Sequence, residues 1–118
     1  MIPFDLSKNL SHTWFIDLDG TVFEHNSYLN GKDTLLPGVK EFWNSIPIDD
    51  IIIVTTSRSL VYEKLTTDGL REHDLRFNHI IFDLPLGERI VVNDQKPQGL
   101  ATAVAWNVER NTGFKKIQ

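Results

Sequence analysis

The stretch WFIDLDGTVF, residues 14–23, is the most informative part of this chain. It opens with aromatic and β-branched residues, a composition typical of a buried β-strand. Asp17 and Asp19 stand at the end of that strand, and two carboxylates are costly to hold so close together unless a cation lies between them. Hard divalent cations such as Mg²⁺ prefer oxygen ligands and usually bring phosphate oxygens with them. The stretch therefore predicts a magnesium-dependent phosphate site.

The two residues that follow fit the same chemistry. Gly20 allows the backbone to turn sharply after the strand. The hydroxyl of Thr21 can orient a neighbouring carboxylate or bond a phosphate oxygen. A strand end with a solvated acidic turn is the plainer alternative, and the motifs further along the chain decide between the two.

The composition excludes several classes of protein. A chain of 118 residues with 41% hydrophobic and 24% charged residues predicts one globular domain, residues 1–118, with a core of its own. The absence of cysteine excludes disulfides, thiolate metal sites and a cysteine nucleophile. The net charge of -4 argues against a general nucleic-acid binder. No apolar run approaches the roughly 20 residues of a membrane span, and no signal peptide is evident, so we expect a cytoplasmic protein.

Strand and helix patterns alternate along the chain. After an irregular lead-in, we expect strands at residues 13–17, 51–55, 79–83 and 89–93, and a fifth strand, or a short strand with a turn, at 101–106. Amphipathic helices are expected from Pro37 to Pro47 and from Ser59 to about residue 69 or 73, with a peripheral tail at 111–118. This alternation predicts an α/β fold with a mostly parallel five-stranded sheet in a three-layer, Rossmann-like sandwich.

The predicted strand ends gather the candidate site residues, because ligands in such sheets bind beyond the carboxyl ends of the strands. Asp17, Thr56 and Asp94 each end one of the predicted strands. The hydroxyl of Thr56 faces the start of a helix, a good place to hold a phosphate, although plain helix capping is the alternative. Thr55 is the nearby rival for this position.

Three motifs carry a resemblance to a known family. Asp17-Leu18-Asp19-Gly20-Thr21 resembles the first motif of the haloacid dehalogenase-like (HAD) phosphatases, Thr56-Ser57-Arg58 resembles the second, and Asn93-Asp94 resembles a short form of the fourth. The broad resemblance covers about residues 13–106. Residues 87–105 also look like small HAD proteins without a cap domain that are encoded with bacterial surface-polysaccharide genes. In place of a cap, a short flap over residues 22–31 is expected.

The resemblance implies a mechanism and a set of site residues. Asp17 would be the nucleophile that forms an aspartyl-phosphate, and Asp19 would be the general acid and base. Mg²⁺ would be held by Asp17, Asp19 and Asp94, with Asn93 as a supporting partner. Thr56 would bond a phosphoryl oxygen, and the remaining substrate-binding residues would be Gly20, Thr21, Ser57 and Arg58.

The third family motif, a lysine or arginine that neutralises the nucleophile and the phosphate, has no unmistakable counterpart. Lys64 lies two turns along the second predicted helix, and Arg89 begins the predicted fourth strand at the opposite edge of the sheet, roughly 13 Å back at 3.3 Å per residue. Lys96, in the loop after Asp94, is at the correct edge and is the residue we expect to act. Arg58 could supply a second positive charge.

Several questions of function stay open at this level. The substrate is expected to be a phosphorylated small molecule, such as a sugar phosphate or nucleotide-related metabolite, with His25 and Tyr28 of the flap near its leaving group. The alternatives are a catalytically silent HAD-like module that binds Mg²⁺ and a phospho-ligand or protein partner, a phosphotransferase or mutase, and a receiver-like domain with Asp83 as phosphate acceptor. The oligomeric state is open.

Overall fold

The computed structural model describes residues 2–114 and shows a small α/β protein. Its sheet has three parallel strands in the order β1 (Thr13–Asp17), β2 (Ile51–Thr55) and β3 (His79–Ile81). Two α-helices alternate with the strands, α1 (Val39–Ser45) and α2 (Glu63–Glu72), and short 3₁₀ helices occupy Ser27–Asn30 and Leu60–Tyr62. The predicted α/β class is confirmed, and the first two strands have the predicted bounds. Residues 115–118 of the predicted tail lie outside the described residues.

The hydrophobic core lies between one face of the sheet and the two helices. Ile16, Ile52 and Val54 point to this face and are buried together with Phe42 of α1 and Leu70 of α2. Both helices cover the same face because consecutive parallel strands joined by right-handed crossovers place each connecting helix on one side of the sheet. None of the described helices has the length and apolar character needed to span a membrane.

The other face of the sheet is open. Phe15 of β1 is 57% exposed, and Ile51 of β2 and Ile81 of β3 are exposed on the same face. The three-layer sandwich predicted from the sequence is therefore wrong for residues 2–114, which form two layers. The physical reason is the connection after β3, residues 82–88, which is shorter than the dozen or so residues of a helical crossover that could cover this face.

The predicted fourth and fifth strands do not form, so the five-stranded sheet is a wrong prediction. Residues 86–105, which we call the arm, contain only an isolated bridge between Gln95 and Ala101 and a turn closed by hydrogen bonds from the N–H of Lys96 to the Leu100 carbonyl and from the N–H of Gly99 to the Lys96 carbonyl. Val92 in the run Ile90–Val92 is 89% exposed. The run has a strand-like composition, but a strand persists only where a neighbour pairs with it, and β1 pairs with β2 alone.

The segment after the arm returns to the core. Trp106 makes edge-to-face contacts with Phe4, Phe42 and Phe114, and Phe114 stacks on Phe42 with ring centroids 4.2 Å apart. The N–H of Phe114 donates to the Pro37 carbonyl at 2.9 Å. The end of the described chain is thus joined to the start of α1.

This close approach depends on Gly38, and substituting it tests the described fold. Gly38 has φ +75°, and a Cβ atom there would collide with the carbonyl of Phe114. Gly38→Ala should therefore lower the free energy of unfolding by more than the roughly 1–2 kcal/mol that a side chain costs in the left-handed region. Gly31→Ala is the matched control, because Gly31 has φ +91° and no neighbour within 4 Å. Urea denaturation followed by tryptophan fluorescence measures both, and equal losses would contradict the contact.

Candidate functional site

Asp17 lies at the carboxyl end of β1 with its carboxylate partly open to solvent, its side chain being 38% exposed. It pairs in register with Thr55 of β2, so the two side chains lie on the same face of the sheet. Oδ2 accepts a hydrogen bond from the Thr21 hydroxyl at 3.0 Å, and Oδ1 accepts one from Arg89 Nη1 at 2.8 Å. The same Arg89 nitrogen donates to the Thr55 hydroxyl at 3.3 Å. Together these residues form a polar centre beyond the strand ends.

The turn after β1 separates the two aspartates of the first motif. The N–H groups of Thr21 and Val22 both donate to the Leu18 carbonyl, at 3.0 and 2.8 Å, and Gly20 adopts φ +85°. This conformation is easy only for glycine, as predicted. The turn leaves Asp17 facing the open side of the site, whereas Asp19 forms an ion pair with Arg58.

Arg58 is the buried centre of this site. Its side chain is fully buried, and Nε and Nη2 donate to the two carboxylate oxygens of Asp19 at 3.0 and 2.9 Å. Nη2 and Nη1 also donate to Asp33, at 2.6 and 3.1 Å, and Nη1 donates to the Thr66 hydroxyl at 3.0 Å. The ring of Tyr28 lies 4.1 Å from the guanidinium carbon. All five N–H groups of the guanidinium therefore have acceptors.

The protonation of this cluster follows from its contacts. Burial alone lowers the pKa of Arg58, but the hydrogen bonds and charges of Asp19 and Asp33 more than offset this effect, so its pKa is raised. Burial and the charge of Asp19 raise the pKa of Tyr28. Arg58 therefore remains charged and Tyr28 neutral near pH 7. Asp17 pairs with Arg89, so this exposed pair is formally neutral, whereas Asp19 and Asp33 share Arg58, so this enclosed group carries a formal charge of -1.

The structure brings together only part of the predicted metal site. Asp17 contacts Arg89 and both carboxylate oxygens of Asp19 accept from Arg58, whereas Asp94 lies in the exposed arm, where its backbone carbonyl accepts a hydrogen bond from the Thr102 hydroxyl. Within residues 2–114, no group of three or more histidine, aspartate or glutamate side chains is arranged to hold a metal ion. The oxygen ligands of Asp17 and Asp19 suit Mg²⁺, and the third acid is not beside them. Asn93 lies in the arm as well, donating to the Thr102 carbonyl at 3.4 Å.

The motif at the end of β2 differs in detail from the sequence interpretation. Thr56 is buried, and its hydroxyl accepts a hydrogen bond from the Arg58 N–H at 3.0 Å within the turn after β2. The helix that follows is capped by Ser59, whose hydroxyl accepts from the Val61 N–H at 3.3 Å, so Thr56 does not have the capping role given above as the alternative. Thr55 is the threonine whose hydroxyl lies beside Asp17. Ser57 is exposed, and its hydroxyl donates to the Pro85 carbonyl at 3.5 Å. Arg58, expected to bind substrate, is instead enclosed by protein groups.

The basic residues are also placed differently. Arg89 contacts Asp17, whereas the sequence interpretation placed it at the opposite edge, because that interpretation assumed a fourth strand beginning at this residue. Lys96 lies in the turn within the arm, where its N–H donates to the Leu100 carbonyl. Lys64 pairs with Asp68 on the exposed side of α2 at 2.7 Å, a contact that raises its pKa.

Tyr28 and Asp83, to which the sequence analysis gave functional roles, have structural roles in the fold. Tyr28 of the flap stacks on Arg58 and makes an edge-to-face contact with Tyr62 at 5.0 Å. Asp83 has φ +60°, and its carboxylate accepts a hydrogen bond from the Leu60 N–H at 3.2 Å, at the start of a 3₁₀ helix. Asp83 is thus engaged in capping and does not join the acidic pair. Sequence reasoning did not identify Asp33 and Thr66, because neither belongs to a recognisable motif.

Comparison with known proteins identified no relative of this chain. The chain matches no protein-family model, no curated protein and no solved structure. The interpretation of the site therefore depends on its own residues and geometry.

Replacing Arg58 tests whether the buried cluster stabilises the fold. Arg58→Met keeps the length of the side chain but leaves Asp19 and Asp33 without their shared cation, so we expect a loss of about 3–5 kcal/mol in the free energy of unfolding at pH 7. Arg71→Met is the control, since Arg71 is exposed on α2. Chemical denaturation measures both variants. A loss for Arg58→Met no larger than for the control would show that the cluster does not stabilise the fold.

Proposed function

We propose that this protein is a Mg²⁺-dependent phosphatase that hydrolyses a phosphate monoester through an aspartyl-phosphate intermediate. The observation that carries the proposal is Asp17, a solvent-accessible carboxylate at the carboxyl end of a parallel strand, held on one oxygen by Thr21 and on the other by Arg89. Asp19 follows two residues later in a different, largely buried environment. The resemblance of residues 17–21 to the first HAD motif supports the same chemistry.

The reaction would take place in two steps on the two aspartates. In the first, a carboxylate oxygen of Asp17 attacks phosphorus, the bond to the leaving oxygen breaks, and that oxygen takes a proton from Asp19, which enters this step as the protonated carboxylic acid. In the second, water attacks the aspartyl-phosphate, Asp19 takes a proton from the water, and inorganic phosphate leaves with the carboxylate restored. Each oxygen of Asp19 that accepts from Arg58 retains a second lone pair, so the ion pair fixes its orientation and still allows proton transfer.

Mg²⁺ fits the oxygen ligands that the first motif offers. Asp17 and the backbone carbonyl of Asp19 would hold the ion, with Asp94 as the third ligand when the arm supplies it. When bound, the ion would reduce the repulsion between the attacking carboxylate and the phosphate.

Fixed positive charge at the reacting group would come from Arg89. Its guanidinium already contacts Asp17 and Thr55, and side chains that are positioned in advance stabilise charge in the transition state without reorganisation. Lys96, preferred on sequence grounds, would take part only if the arm moves to the site. Thr55 is the better placed hydroxyl for a phosphoryl oxygen, because Arg89 Nη1 joins it to Asp17, whereas the Thr56 hydroxyl is buried and accepts from the Arg58 N–H.

A catalytically silent module that binds Mg²⁺ and a phospho-ligand is the second candidate. The position of Asp94 and Lys96 in the exposed arm favours it, because a single chain then offers fewer ligands and charges than hydrolysis needs. The intact pair Asp17 and Asp19 favours the enzyme. The substrate would be a phosphorylated small molecule, such as a sugar phosphate or nucleotide-related metabolite, bound at a site that no cap domain covers.

The nucleophile is tested by Asp17→Asn. Phosphate release from sugar phosphates, nucleotides and an aryl phosphate should require Mg²⁺, stop with chelator, and fall at least about 10³-fold in the variant, because covalent catalysis is lost. Asp49→Asn is the control, since Asp49 is exposed in the loop before β2. Full turnover by Asp17→Asn would disprove the mechanism. Absence of turnover in the wild type with intact Mg²⁺ binding would favour the silent module.

The source of positive charge is tested by comparing Arg89→Met with Lys96→Met. Removing a group that stabilises charge in the transition state costs about 10²–10³-fold in kcat, and we expect this loss for Arg89→Met in aryl phosphate hydrolysis. Lys64→Met is the control, because Lys64 pairs with Asp68 away from the centre. A loss in Lys96→Met with none in Arg89→Met would give the role to Lys96 instead.

A further inference from the structure

Within residues 2–114, two surfaces lack a partner and suit each other. The first is the outer edge of β1, which pairs with β2 on its other side alone. Because the His12 carbonyl accepts from the Ile51 N–H at 3.0 Å and residues of a parallel ladder alternate in direction, the backbone groups of Phe15 point away from β2. The second is the arm, whose apolar side chains are exposed at Leu86, Ile90, Val91, Val92 and Val104.

Such surfaces are costly to leave in water. An unpaired strand edge is a template for another strand, and exposed apolar patches mark sites of association. The run Ile90–Val92 is β-branched, the composition that strands favour. The arm therefore has the chemistry to fill the edge of β1 and to cover Phe15 on the open face.

The contact of Arg89 with Asp17 determines whether the arm can bring Asp94 to the Asp17 of its own chain. It places the start of the arm at the carboxyl end of its own β1. Suppose that residues 90–94 of the same chain ran parallel to β1, with Asp94 beside Asp17. Arg89 would then lie five residues toward the amino end of β1, roughly 16 Å from Asp17 at 3.3 Å per residue. An arginine side chain does not span that distance. With Arg89 in place, the arm can run only antiparallel to its own β1, which takes Asp94 away from Asp17.

A second copy of the chain removes this conflict. A two-fold axis beside β1 makes the two β1 strands antiparallel, as in the closed dimers that most oligomers form. An arm that leaves the carboxyl end of one β1 then runs parallel to the β1 of the other copy. Asp94 of that arm then lies at the carboxyl end of the strand, beside the Asp17 of the other copy.

We propose that two copies of this chain exchange their arms, each arm pairing with the β1 edge of the other copy and supplying Asp94 to its site. The two three-stranded sheets then become one sheet joined through the two arms. Lys96, two residues beyond Asp94, is brought to the same end of the strand. The geometry shows an unpaired edge and an exposed arm, and the choice of the other copy's arm over the chain's own rests on the proposed function, because it requires Asp94 to reach Asp17.

Cross-linking tests the exchange without any assay of activity. The chain has no cysteine, so thiols can be introduced singly at Phe15 and Val92, two exposed positions that face each other when Asp94 is level with Asp17. After the Phe15→Cys and Val92→Cys chains are co-expressed with different tags and oxidised, we expect a disulfide-linked dimer with one chain of each kind. Ile48→Cys with Val92→Cys is the control and should not cross-link, because Ile48 is exposed in the loop before β2.

Two results would overturn the exchange. One is an intrachain disulfide in monomers of the double variant Phe15→Cys with Val92→Cys, which would show the arm folding onto its own strand. The other is a wild-type chain that sediments as a monomer at the concentrations used for cross-linking. Circular dichroism of each variant confirms that it folds before either result is interpreted.

Complementation separates this inference from the proposed function. Asp17→Asn and Asp94→Asn should each be inactive, but co-expressed chains should recover about a quarter of the wild-type activity, since half of the dimers are mixed and each has one intact site. An active wild type without recovery in the mixture would overturn the exchange. A specific cross-link in a wild type that hydrolyses no phosphate ester would keep the exchange and reject the phosphatase.

Discussion

The guanidinium of Arg58 is the interaction on which the rest of the site depends. It joins the turn after β1 through Asp19, the loop before α1 through Asp33, and α2 through Thr66. Removing such charges from water costs several kcal/mol for each ion, and only good geometry with additional hydrogen bonds offsets that cost. Five hydrogen bonds and the ring of Tyr28 provide this offset. The same contacts fix Asp19 in one orientation.

The contrast between the two aspartates follows from this arrangement. Asp19 is largely enclosed with Arg58, whereas Asp17 is partly exposed and contacts Thr21 and Arg89. Two carboxylates two residues apart can perform different chemistry because their environments differ. The glycine turn produces the difference, since it directs Asp19 inward while Asp17 remains at the open strand end. The site therefore needs both the turn and the buried arginine.

The sequence predicted those parts of the fold that depend on local pattern. The strands at residues 13–17 and 51–55 have the predicted bounds, because apolar runs between polar turns specify them. The run at residues 89–93 has an equally strand-like composition, yet its state depends on a neighbouring edge and not on its own residues. The position of Arg89 was missed for this reason. The motif identified Arg58, but its burial depends on Asp33, which belongs to no local pattern.

The open sheet face and the separation of Asp94 from Asp17 have one common cause. Residues 82–88 are too few for a helical crossover. The described chain therefore has no helices on the face of the sheet that exposes Phe15, and no connection that returns the chain to the amino end of β1 before the arm begins. The arm consequently begins beside Asp17 and takes Asp94 away from it. With Arg89 beside Asp17, the arm of the same chain can cover Phe15 only in the antiparallel direction, and in that direction it does not bring Asp94 to Asp17. A two-fold related copy supplies the parallel direction, because its arm runs along β1 in the sense that brings an acid to the strand end.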